Sequence, residues 1–215
     1  MIAYPIAQIA TERFSRPEVP PTMSSRWADD QLHRKAKKEG YRSRAAYKFH
    51  EIQRRYHLVR RDDNVIDLGA APGSWLQVIR SLTDGMVMGI DLNYIPPLDG
   101  VRLLTGDFSS PEITSRVHAE VPVVNVVVCD AAPKLSGNHS YDQARAIAIG
   151  EEALRFTDQL LKRGGNFVVK SFQGDMFDQL VGKVREKFLA VHLFRPNSTR
   201  KGSSEIYIIA KNYRG

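Results

Sequence analysis

The sequence has a single cysteine, Cys129, so no disulfide can form within the chain. A small disulfide-stapled scaffold is thereby excluded, and a reducing, cytosolic setting is the expectation. Long apolar runs are missing as well. The most apolar stretch, Val121 to Cys129, is nine residues and contains Pro122 and Asn125, against the roughly 20 apolar residues of a membrane-spanning helix. No membrane association is expected. The first 25 residues carry Glu12, Glu18 and two arginines without an apolar core segment, so no secretory leader is expected. The six histidines, His33, His50, His57, His118, His139 and His192, lack ligand spacing and have one thiol to assist them, so no metal site is expected. Cys129 itself reads as a buried strand residue. Repeats and low-complexity tracts are also absent.

What is present is an ordinary globular composition, 42% hydrophobic and 26% charged over 215 residues. That length suits one domain at about 150 residues per domain and can bury a core without staples. The net charge of +7 is uneven. Residues 1–61 hold 14 Lys and Arg against 6 Asp and Glu, whereas the remainder holds 17 against 18. A basic segment on a neutral body suggests an anionic partner, with nucleic acid ahead of membrane. A solvated helix face is the competing reading.

Residues 1–23, broken by Pro5, Pro17, Pro20 and Pro21, read as an arm, and residues 24–215 as one domain whose basic helices occupy about 24–61. One helix is expected over about Ala28–Glu39, stopped by Gly40. A second is expected to start with Ser43 as its N-cap and to carry Ala46, Phe49, His50, Ile52 and Gln53 on one face. Beyond residue 63, short apolar runs alternate with helical stretches. The runs are Asn64–Leu68, Met86–Asp91, Val101–Thr105, Val123–Cys129 and Gly165–Lys170. The helical stretches are Ser74–Leu82, Pro111–Ala119, Tyr141–Leu161 and Met176–Phe188. This alternation predicts an α/β fold with a mostly parallel sheet and helices on both faces. Leu189–Phe194 and Glu205–Ala210, joined by a short link, predict an antiparallel pair.

The first run enters Asp67-Leu-Gly-Ala-Ala-Pro-Gly-Ser-Trp75. Gly69 and Gly73 permit a tight turn and a close ligand approach, and the following helix aims its free N–H groups at that turn. The spacing differs from G-x-G-x-x-G, which disfavours a nicotinamide oxidoreductase. Asp91 ends the second run, where a carboxylate can bind ribose hydroxyls. Asp107 follows the third and can accept from an exocyclic amine, and Asp130 ends the fourth. Each alone could merely cap a turn. Together they suit a ligand with a ribose, an adenine and a cationic centre, and S-adenosylmethionine is such a ligand.

Several motifs resemble those of the FtsJ-type RNA 2′-O-ribose methyltransferases. They are Ser25-Arg-Trp27, Arg42–Lys48, Asp67–Trp75, Asp107-Phe108, Asp130–Pro133 with Ser136-Gly137, Phe167–Gly174 and Ser203–Tyr207. The resemblance implies a Rossmann-like methyltransferase fold of seven strands with the last inserted antiparallel. It implies a catalytic Lys–Asp–Lys–Glu set at Lys48, Asp130, Lys170 and Glu205. It also implies S-adenosylmethionine contacts at Gly73, Trp75, Asp91, Asp107 and Asp130. Departures are Ser74, where a second glycine is common, and Lys134-Leu135 in place of Asn-Met.

The chemistry so implied is an in-line displacement that needs alignment and the handling of one proton. Two lysines meeting in a crevice lower each other's pKa, and Asp130 and Glu205 oppose that shift. A neutral Lys170 would accept the hydroxyl proton, and a charged one would orient the oxygen; both roles are open at this stage. Lys48 also reads as a solvated helical lysine, and Glu205 as an edge-strand residue. Arg26, Arg34, Lys35, Lys37, Lys38, Arg42 and Arg44, extended by Arg195, Arg200 and Lys201, are candidates to neutralise RNA phosphates. Trp27, Tyr41 and Tyr47 are candidates to stack on bases, with burial the competing reading for Tyr47. The expected partner is ribosomal RNA of the large subunit, the target a uridine ribose, and the protein a cytoplasmic monomer with no role on DNA. Transfer RNA as substrate, or an RNA-binding protein without catalysis, are the alternatives.

Overall fold

The computed structural model of the protein describes residues 31–134, 136–200 and 202–215. Two helices come first, α1 (Gln31–Lys38) and α2 (Ala45–Tyr56). There follow β1 (Val65–Leu68), α3 (Ser74–Leu82), β2 (Val87–Asp91), β3 (Val101–Thr105), α4 (Pro111–Glu120) and β4 (Val124–Cys129). The chain ends with α5 (His139–Leu160), β5 (Leu161–Phe172), α6 (Phe177–Lys187), β6 (Phe188–Phe194) and β7 (Glu205–Tyr213). The arm 1–23, the Ser25–Trp27 motif, Leu135 and Lys201 lie outside the described residues.

β1, β2 and β4 are short, rich in Val and Ile, and almost wholly buried. A strand with both faces covered has no polar alternation, which is why these runs read as continuous hydrophobic segments. The seven strands form one sheet in the order β3-β2-β1-β4-β5-β7-β6. Pairing is parallel from β3 across to β5. β7 inserts antiparallel to both β5 and β6. The order reverses direction at β1, so the crevice beyond the carboxyl ends of β1 and β4 is the switch point where such sheets bind ligands.

Each face of the sheet carries its own core. On one, Ile113 and Val117 of α4, Leu154 and Phe156 of α5, and Leu180 and Val184 of α6 cover Ile66, Met88, Val127 and Ile208. On the other, Ala46, Phe49 and Ile52 of α2 and Trp75, Leu76 and Ile79 of α3 cover Val126, Val128, Tyr207 and Ile209. The Phe49 ring lies 4.8 Å from Trp75, which lies 5.8 Å from Tyr207. This stack anchors the basic N-terminal helices on the sheet.

Four local expectations are corrected. Arg44, not Ser43, occupies the N-cap of α2, in helical conformation and without a side-chain cap. Ser43 Oγ instead accepts from Ala45 N at 3.2 Å and bonds Ser74 Oγ at 2.7 Å, joining the start of α2 to α3. His50 is exposed and bonds the Tyr41 hydroxyl at 2.8 Å, so it is not part of the apolar face. β5 begins at Leu161 rather than Gly165, because Leu161 pairs with Val124 ahead of a register shift in β4. Glu205 is not on an edge, since β7 lies inside the sheet.

Phe49 is fully buried in the stack that joins α2 to the sheet. Phe49→Ala is expected to lower the unfolding free energy by about 3–5 kcal/mol, read from urea denaturation.

Candidate active site

β1 delivers Asp67 to the crevice and then turns through Gly69, whose φ is +70°. A Cβ there would stand 2.5 Å from the Ala131 Cβ, so the turn lies directly against the segment after β4. Asp91 ends β2; its Oδ2 accepts from Ala71 N at 3.0 Å and its Oδ1 from Asn93 N at 2.7 Å. Asp107 Oδ1 accepts from Ser109 N at 2.9 Å. Both aspartates therefore shape turns, and both also line a cavity of about 530 Å³ with Gly69, Phe108, Asp130 and Ala132. A recess of about 20 Å³ shares Gly69 and Asp130 with that cavity and reaches Asp67, Ser74 and Trp75. Gly73 (φ +102°) is the N-cap of α3. The Trp75 indole is committed to the core, its N–H donating to Ala45 O at 2.9 Å.

Asp67 is 1% exposed, and neither carboxyl oxygen has a hydrogen-bond partner. Burial, with Asp130 and Asp91 nearby, pushes its carboxyl well above the usual range. A buried polar group without a partner is costly, and this one adjoins the recess. The crevice thus has carboxylates for hydroxyls and amines, an orphaned carboxyl at its foot, and a glycine turn that admits a ligand closely. Those features fit a ligand with hydroxyls, an amine and a cationic centre. A second hollow of about 540 Å³ lies along α2, lined by Leu32, Tyr47, His50, Glu51 and Asn197. Its carboxylate, Glu51, is occupied by Asn197 N at 2.6 Å and Ser198 N at 2.9 Å.

Beyond β4 and β5 the four residues Lys48, Asp130, Lys170 and Glu205 come together. Lys48 Nζ meets Glu205 Oε1 at 2.7 Å and donates to Oε2 at 2.9 Å. Lys170 Nζ meets Asp130 Oδ1 at 3.0 Å and also donates to the Asp130 carbonyl. Tyr207 lies at the centre: its hydroxyl donates to Asp130 Oδ1 at 2.7 Å, and Lys48 Nζ stands 5.9 Å from its ring centroid. Burial works against the Lys170 ammonium, but Asp130 and Glu205 more than offset it and hold its pKa above the ordinary value. Burial also disfavours the Asp130 carboxylate, yet Lys170, Lys48 and the Tyr207 hydroxyl hold it below the usual range. Both groups are charged at neutral pH. Cys129, behind them, is fully buried, and burial pushes its thiol up to about 12.

The basic surface divides in two. Arg34, Lys35, Lys37 and Lys38 of α1 are exposed. The guanidinium groups of Arg42 and Arg44, also candidates for phosphate contact, serve backbone carbonyls. Arg42 donates to Pro72, Pro96 and Pro97, and the buried Arg44 donates to Ser198. Tyr47 is half-buried and its hydroxyl donates to Glu39 at 2.8 Å. Among the described residues no group of His, Cys, Asp and Glu could hold a metal, and no helix is long and apolar enough to cross a membrane.

Sequence reasoning missed Tyr207 and Asp67. The signal for Tyr207 is the two-residue spacing from Glu205, which puts both on one face of β7. That face becomes informative only with the register, in which Tyr207 pairs with Lys170. Asp67 has a plainer mark, an acidic residue inside an otherwise apolar buried strand.

Known proteins resemble this chain in sequence and in fold. The sequence profile described as FtsJ-like methyltransferase matches residues 41–213. A Methanosphaerula palustris protein named ribosomal RNA large subunit methyltransferase E is 56% identical, over 90% of this chain and 95% of its own. A Methanoregula boonei protein of the same name is 57% identical, over 90% of this chain and 100% of its own. The crystal structure of a Plasmodium falciparum protein assigned as a ribosomal RNA methyltransferase superposes with a TM-score of 0.74 at 27% identity. It covers 81% of this chain and 100% of that one.

The orphaned carboxyl yields a signed pH prediction. Asp67 has a raised pKa when folded, so the folded protein holds a proton that the unfolded chain releases above about pH 4. Stability from this group is complete below that pH and is lost as pH rises toward the folded pKa. Asp67→Asn removes the loss. The variant is expected to gain stability over wild type as pH rises from about 4, by up to about 1.4 kcal/mol per pH unit, in denaturation midpoints across pH.

Proposed function

The chain belongs to the FtsJ-like methyltransferase family, and from that premise we propose that it methylates a ribose 2′-hydroxyl of large-subunit ribosomal RNA. The observation that carries the reading is the juxtaposition of two sites at one sheet rim. A crevice lined by Asp67, Asp91, Asp107 and Asp130 adjoins the Lys48–Glu205 and Lys170–Asp130 pairs. The crevice residues fit S-adenosylmethionine. Asp91 would take the ribose hydroxyls, Asp107 the adenine amine, and Asp67 with Asp130 the amino acid end. When bound, that cofactor supplies an electrophilic methyl group on a sulfonium with a good leaving group. The named relatives favour ribosomal over transfer RNA as the substrate.

In this reading the protein supplies alignment and charge. The Lys170 ammonium, held charged by Asp130 and Glu205, donates to the 2′-oxygen and stabilises the negative charge that develops on it. Lys48 and Glu205 fix the ribose on the opposite side. The Asp130 carboxylate would accept the proton that the 2′-hydroxyl loses on methylation, when that proton is strongly acidic. No strong base is required, which agrees with a protonated Lys170 and an ionised Asp130. Tyr207 positions Asp130 by donating to the oxygen that also faces Lys170.

Two measurements test the proposal. Lys170→Ala is expected to bind S-adenosylhomocysteine as wild type does while turnover on ribosomal RNA drops about 10²–10⁴-fold; near-normal turnover would refute the assignment. If the four exposed cations of α1 each meet a phosphate, log affinity for single-stranded RNA should fall with log salt at a slope of about −3. A flat response would remove α1 from the RNA surface.

A further inference from the structure

Arg42 lies in the basic N-terminal segment, but its guanidinium bonds all go to the loops that follow β1 and β2. Nη1 donates to Pro72 O at 2.9 Å and to Pro96 O at 2.8 Å, and Nη2 donates to Pro97 O at 2.6 Å. One side chain thus joins the tips of two loops: the glycine turn after β1 and the segment after Asp91. The roots of those loops are already joined. Gly69 N and Ala70 N donate to Ile90 O, and Ala71 N donates to the Asp91 carboxylate. Arg42 is itself anchored, since its backbone N donates to Gln77 Oε1 at 2.9 Å and Gln77 Nε2 donates to Gly40 O at 2.9 Å. The fit against the turn is close: a Cβ on Gly73 would stand 2.5 Å from Arg42 Nη1.

We propose that Arg42 is a positioning residue for the methyl donor, acting through the loops that form both ends of its cradle, and not a ligand of RNA phosphate. The inference rests on the reading that the crevice takes S-adenosylmethionine. A guanidinium is a rigid fork that can serve three carbonyl oxygens at once, whereas an ammonium on a flexible stem cannot match that geometry. Without the fork the two loops must be ordered by the ligand itself, and the ordering cost appears as weaker donor binding. Chemistry at saturating donor is then little changed, because Arg42 touches none of the groups around Lys170.

The test uses the full chain with S-adenosylhomocysteine as calorimetric probe, and steady-state kinetics on ribosomal RNA. Arg42→Ala should weaken the probe about tenfold or more and raise KM for the donor by a similar factor. Its kcat should stay within about threefold of wild type, and RNA affinity and its salt slope should not move. Arg42→Lys should fall between the two, and it carries the test alone if circular dichroism finds Arg42→Ala unfolded. The proposal is overturned if the variants bind the probe within about twofold of wild type. It is equally overturned if RNA affinity drops and the salt slope shrinks by about one, the mark of a lost phosphate contact. Wild type failing to bind the probe would instead overturn the reading of the crevice, and this inference with it.

Discussion

Two ammonium groups and two carboxylates can share one half-buried rim only because each neutralises another. Lys48 is matched by Glu205 and Lys170 by Asp130, and the Tyr207 hydroxyl adds a donor to the carboxylate that serves Lys170. Charges removed from water are costly unless paired and hydrogen-bonded. Neutralisation therefore constrains the fold: a strand must run backwards between β5 and β6 to bring Glu205 and Tyr207 to the end of β5. The same pairing keeps Lys170 charged, which in the proposed function suits it to orient an oxygen and stabilise negative charge.

The crevice beside this cluster obeys the opposite rule. Among the described residues Asp67 has no hydrogen-bond partner, and burial with the nearby Asp91 and Asp130 favours its protonated form. One half of the rim is satisfied internally, and the other half holds a buried carboxyl whose hydrogen-bonding capacity is unmet. In the proposed function the crevice takes the methyl donor and the paired cluster holds the acceptor oxygen.

Residues 42–44 connect these halves to the N-terminal helices. Arg42 reaches the loops of the crevice, Ser43 bonds α3 through Ser74, and Arg44 reaches the β6–β7 loop, which Glu51 of α2 also holds. A run that looks like phosphate-binding charge is largely internal scaffolding. Arginine permits that reversal, because its planar fork of N–H donors can also serve several carbonyl oxygens at once.

The alternation of buried strands with helices was legible because covered strands lose polar alternation and amphipathic helices keep a 3.6-residue period. The glycine turn was legible because few residues other than glycine adopt its φ, and the carboxylates were legible because acids at successive strand ends are uncommon. Local misreadings at Ser43 and at the start of β5 arose where a contact from another element outweighed local preference. The sequence by itself determined the α/β class, the position of the crevice, and the residue types available there. Which basic residues face solvent and which clasp carbonyls, and that Tyr207 joins Asp130, were decided by tertiary structure alone. Direction, register and partner are properties of two segments brought together, and neither segment carries that information in its own pattern.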